Sequence, residues 1–159
     1  MYIKLITVGK IKESYYRDAV AEYEKRMKRY GKFSILEVED EATPDHASPA
    51  QEEQIKKKEA ERILKQIKQD AYVITLEIKG KKYDSVAFAK RLEEISIQNA
   101  GEICFVIGGS LGLHESVSKR ANEKISFSDM TFPHQLMRVI LSEQIYRGMR
   151  IIHNEPYHK

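Results

Sequence analysis

The sequence predicts an α/β fold in which a mostly parallel sheet is sandwiched by helices. Three observations carry that expectation. Strand-like and helix-like segments alternate along the whole chain, the pattern of consecutive βα units. The run Ile103–Ile107 is apolar at every position, as in a strand covered on both faces. A glycine-rich stretch, Gly108-Gly109-Ser110-Leu111-Gly112, follows that run directly, where a strand-to-helix connection belongs.

The elements follow in order. Tyr2–Val8 is β-branched and apolar and reads as the first strand. Ser14–Tyr30 carries Tyr16, Ala19, Val20, Tyr23, Met27 and Tyr30 at helical spacing, and Gly31 stops it. Phe33–Val38 is the second strand. In Ser48-Pro49-Ala50-Gln51, the serine can cap, the proline suits the first helical turn and the glutamine can close a capping box. That helix is expected to run to about Gln69. Tyr72–Leu76 is the third strand, with Gly80 beginning a turn. Ser85 is expected to cap a helix reaching Gln98. A short helix spans Glu115–Ala121, and Lys124–Phe127 is a fifth short strand. Pro133 opens a long last helix with Leu136, Val139, Ile140 and Ile145 facing inward.

With 159 residues, no internal repeat and no linker, the chain is expected to be one domain over 1–159. The single Cys104 cannot form an intrachain disulfide and sits in the apolar Ile103–Ile107 run, so it reads as a small core residue in a reducing compartment. The opening stretch is interrupted by Lys4 and is too short for a signal sequence, and no membrane-length apolar run occurs. A cytoplasmic protein without a membrane partner is expected. The net charge of +3 permits a nucleic-acid partner without requiring one.

Open parallel sheets bind ligands beyond the carboxyl ends of their strands. Three such ends stand out: Leu76-Glu77, the glycine loop 108–112 and the small polar loop Phe127-Ser128-Asp129-Met130-Thr131-Phe132. The glycine spacing is neither a dinucleotide fingerprint nor a phosphate-binding P-loop, so a tight structural turn competes with a ligand loop. The five histidines pair with nothing at metal-ligand spacing, and no metal is expected. The last helix and tail carry Arg138, Arg147, Arg150, His153, His158 and Lys159, opposed by Glu143 and Glu155. They read equally well as a solvated basic face or as an RNA-phosphate edge. A non-catalytic RNA-binding protein and a nucleotide-dependent oxidoreductase are the rival readings.

Three segments together resemble the RlmH family of small SPOUT methyltransferases: FVIGGSLGLH (105–114), SFSDMTFPHQLMRVILSEQIYR (126–147) and the terminal EPYHK (155–159). The opening strand ending in Val8-Gly9-Lys10 and the stretch ITLEIKGK (74–81) match as well. The resemblance covers the whole chain. It implies a C-terminal trefoil knot, the α/β knot of the SPOUT class, which topology rules would not have suggested. It implies S-adenosylmethionine as methyl donor, held by Leu76, Gly108 and the run Phe127, Ser128, Asp129, Met130, Thr131 and Phe132. It implies methylation of N3 of a pseudouridine in 23S ribosomal RNA within the ribosome, by a homodimer whose active site is completed by the partner's tail. For the removal of the N3 proton and the placement of RNA, the candidates are Tyr157 and His158 in the tail, with Arg138 and Arg147.

Overall fold

The computed structural model describes residues 1–159. The strands are β1 (Tyr2–Val8), β2 (Lys32–Val38), β3 (Tyr72–Lys82), β4 (Ile103–Ile107) and β5 (Glu123–Ser126). They form one sheet in the order β2-β1-β4-β3-β5, and every pairing is parallel. The helices are α1 (Ser14–Met27), α2 (Pro49–Lys65), α3 (Ser85–Gln98), α4 (Glu115–Arg120) and α5 (His134–Ile152).

The period of two along each strand divides the core into two layers. On β4, Ile103, Phe105 and Ile107 point into a cluster completed by α1, α3 and α5. Cys104 and Val106 point the other way, onto α2 and α4. All five residues of β4 are buried, as the uninterrupted apolar run predicts. Burial pushes the Cys104 thiol up to about 12, which makes it an unreactive packing group.

Local chemistry accounts for most element boundaries. The Ser48 hydroxyl accepts the Gln51 backbone N–H, and the Gln51 side chain accepts the Ser48 N–H, so the capping box forms. Ser48→Ala is therefore expected to cost about 1 kcal/mol in urea unfolding. Helix α2 stops at Lys65, short of the expected Gln69. Gln66 and Ile67 donate to carbonyls only three residues back, tightening the last turn. Arg120 then captures the carbonyls of Lys68, Gln69 and Ala71 and holds them out of any further helix. Helix α1 likewise ends at Met27, with a 3₁₀ turn over Lys28–Tyr30 before Gly31. Asp84, not Ser85, caps α3 by accepting the Ala87 N–H at 2.7 Å, while the Ser85 hydroxyl donates to Gln144.

Two departures bear on the site. Strand β3 runs on to Lys82, and its register shifts so that Leu76 and Lys81 both pair with Ile125 of β5. Gly80 is therefore a close-approach residue rather than the start of a turn. A Cβ there would lie 2.5 to 2.8 Å from the Ile125 backbone. The inward face of α5 is also only partly the expected one: Ile145 is buried as predicted, the other three are not. Arg138, Leu141, Ser142, Ile145, Tyr146, Gly148 and Met149 are buried, while Leu136, Val139 and Ile140 are half-exposed. No helix is long and apolar enough to cross a membrane.

Candidate active site

Helix α3 leaves β3 for one face of the sheet and α4 leaves the adjacent β4 for the other. The connections diverge between these strands, which opens a crevice at their carboxyl ends. A cleft of about 710 Å³ occupies that place. Its walls are the end of β3, the glycine loop after β4 and the loop after β5.

Leu76, Gly108 and all of 127–132 except Asp129 line the cleft. Asp129 points outward and pairs with Lys82 at 2.7 Å. The 127–132 loop is folded by its own serines. The Ser126 hydroxyl donates to the Ser128 carbonyl, and Ser128 Oγ accepts the Met130 N–H, both at 3.0 Å. The glycine loop doubles back, with Gly109 bridged to Gly112 and Gly112 at φ +85°. A Cβ on Gly108 would meet the Gly112 carbonyl carbon at 2.9 Å, so glycine is what lets this wall lie close.

Glu77 and His134 also line the cleft. Sequence reading noted Glu77 only as the residue after a strand. Its carboxylate is held from two sides: Thr75 Oγ1 donates to one oxygen at 2.6 Å and Ser118 Oγ to the other at 2.8 Å. The partners lie 2 and 41 residues away, and the second is invisible without the fold. Burial and the nearby Arg138 push His134 below its ordinary value, so the imidazole is neutral near pH 7. His114 is the N-cap of α4, accepting the Ser116 N–H.

The tail candidates gather beside this cleft rather than inside it. Glu143 Oε1 accepts Arg147 Nε at 2.9 Å and the Tyr157 hydroxyl at 3.0 Å. Arg147 also lies over the Tyr157 ring and 3.2 Å from His158 Nδ1. The Glu143 bond raises the basicity of Arg147, whose charge is thereby secured. Burial and the same carboxylate push the Tyr157 hydroxyl up to about 12, so it is a hydrogen-bond donor near neutrality and not a base. His158 borders a second hollow of about 540 Å³, which shares Ile125, Ser126 and Phe127 with the main cleft.

Arg138 stands apart from both groups. It is 1% exposed, and its guanidinium donates to Glu37 Oε2, Val8 O and Gly9 O at 2.7, 2.7 and 2.8 Å. It ties α5 to the end of β1 and presents nothing to solvent. Arg150, counted in the basic edge, is likewise spent on the tail: it pairs with Glu155 and donates to the Pro156 carbonyl.

A family model described as "Predicted SPOUT methyltransferase" matches residues 1–158. The chain is 57% identical over 159 residues, the full length of both proteins, to the ribosomal RNA large subunit methyltransferase H of Bifidobacterium adolescentis. It is 55% identical over the same full length to the protein of that name from Clostridium beijerinckii, and 52% to that from Bacillus pumilus. In fold it is similar to the crystal structure of tRNA (m1G37) methyltransferase from Aquifex aeolicus, with a TM-score of 0.52 at 14% identity, covering 92% of this chain and 70% of that one. With a whole-chain family match, relatives identical at more than half their positions and a parallel sheet whose strand ends enclose one cleft, the chain belongs to the SPOUT methyltransferases, among the ribosomal RNA large subunit methyltransferases H.

Proposed function

We propose that this enzyme transfers a methyl group from S-adenosylmethionine to N3 of a pseudouridine in 23S ribosomal RNA, acting in the cytoplasm as a homodimer on assembled ribosomes. The observation that carries the proposal is the convergence of three separate strand ends on one cleft. Family membership implies the trefoil knot that would bring the C-terminal segment through this region.

The cleft suits the donor chemically. It offers close glycine backbone at Gly108 for a flat base, apolar walls at Leu76, Phe127 and Phe132, and one carboxylate. The bound donor supplies an electrophilic methyl on a sulfonium, so the protein's task is alignment and exclusion of water. Leu76, Gly108 and the 127–132 loop do the holding, with Asp129 at the outer lip. Arg147, with its charge secured by Glu143, places RNA phosphate or stabilises the anion left when N3 loses its proton. Tyr157, held protonated, donates to Glu143 and so keeps that carboxylate and Arg147 in place beside the cleft. His158, beside Arg147 and at the edge of the second hollow, is the candidate base in this set. Arg138 serves by fixing α5, not by touching RNA.

The dimer is supported by what α5 leaves uncovered. Leu136, Val139 and Ile140 form a half-exposed stripe, and Met130 is exposed at the cleft rim. In the proposed dimer a second copy covers these residues.

Two measurements test the reading. Radiolabelled donor incubated with large subunits or ribosomes from unmethylated cells is expected to label one pseudouridine, while protein-free 23S RNA stays unlabelled. Equal labelling of both would refute the assembled-ribosome substrate. Deleting residues 157–159 is expected to reduce turnover about 100-fold while donor binding persists. Unchanged turnover would remove Tyr157 and His158 from the mechanism.

A further inference from the structure

The main cleft has an unbalanced charge. Of its twenty lining residues, Glu77 alone carries a charged carboxylate, and no lysine or arginine joins it. His134 stays neutral near pH 7 and offers no compensation. A carboxylate without a cation beside it at the wall of a largely apolar cleft favours a positively charged ligand there. The side chain is not there by accident of a flexible rotamer. Thr75 and Ser118 each spend a hydroxyl on it, from β3 and α4, which holds the carboxylate of this cleft-lining residue in one place. Each oxygen accepts one hydroxyl and retains a lone pair for a ligand.

We propose that Glu77 matches this cleft to a positively charged ligand, so that the cationic sulfonium donor is bound in preference to the neutral sulfide left after methyl transfer. The inference rests on the methyl-donor reading given above and adds to it a residue that separates substrate from product. Once the methyl group has left, the sulfur is uncharged and Glu77 loses its attraction for it. The spent ligand is thereby released more readily than a neutral cleft would release it.

Calorimetric titration of the full-length protein with S-adenosylmethionine and S-adenosylhomocysteine tests this. Glu77→Gln keeps size and much of the hydrogen bonding but removes the charge. It is expected to weaken S-adenosylmethionine binding about tenfold and to change S-adenosylhomocysteine binding by less than about twofold. Glu77→Asp, which restores the charge, is expected to recover most of the difference. Ser118→Ala, which frees one carboxylate oxygen, provides a second route should Glu77→Gln fail to fold. It is expected to lower the donor's advantage about threefold. Equal weakening of both ligands, or of neither, overturns the role of Glu77 while leaving the donor site standing. A wild-type protein that takes up neither ligand overturns the methyl-donor reading and this inference with it.

Discussion

Replacing Arg138 with methionine is expected to destabilise the protein by about 3 kcal/mol, read as a lower urea midpoint at unchanged slope. The methionine fills comparable volume, so the loss reports the polar contacts. Two of these are backbone carbonyls, Val8 O and Gly9 O, which lose their donor where β1 ends. The third, Glu37, has a side chain 37% exposed and can turn to water. Glu37→Gln is therefore expected to cost no more than about 1 kcal/mol. That ratio distinguishes a carbonyl clamp from an ion pair. Arg138→Lys is expected to recover only part of the loss, since a point charge cannot span three acceptors as a planar fork does. A near-zero effect of Arg138→Met would show that α5 is seated by its apolar face alone.

The second large effect belongs to Gly80. Gly80→Ala is expected to cost about 2–3 kcal/mol and to weaken donor binding on the order of tenfold. The added Cβ meets the backbone of Ile125, which cannot rotate away as a side chain could. The next residues, Ser126 and Phe127, are cleft wall, so the displacement is transmitted to the site. Gly112→Ala supplies the contrast. Nothing lies within 4 Å of its Cβ, and only the positive φ opposes it, for about 1 kcal/mol. Equal costs at the two positions would mean that the contact with β5 has no special weight.

How far the sequence could be read differs from residue to residue, for physical reasons. The apolar run Ile103–Ile107 announced a strand covered on both faces because burial leaves no polar position in it. The capping box at Ser48 was legible because all its parts lie within four residues. The three strand ends could be named as candidates because parallel sheets bind ligands at that edge. What stayed hidden depends on partners far away in the chain. Arg138 looks like any surface arginine until Glu37, 101 residues earlier, is placed beside it. Its inward position also turned the α5 stripe away from Leu136, Val139 and Ile140. Gly80 looks like a turn because glycine is common in turns; only the presence of Ile125 makes it a crossing point. Asp129 belongs to the loop that lines the cleft, yet Lys82 draws its side chain outward. Glu77 gives no local signal, since a lone glutamate after a strand is ordinary until Ser118 closes on it.

The strand order has a kinetic consequence. The sheet contains no hairpin: Tyr2 pairs with Lys32, Ile3 with Ile103, Tyr72 with Ile103 and Ile74 with Glu123. Every ladder must close a long loop before its first hydrogen bond is rewarded, and chains of this kind fold over milliseconds to seconds rather than microseconds. The central strand β4 can join neither neighbour until two thirds of the polypeptide has been made. A nascent chain on the ribosome can pair β1 with β2 early, yet it carries the other edge of β1 open for most of its synthesis, and the sheet is completed only when its last segments emerge.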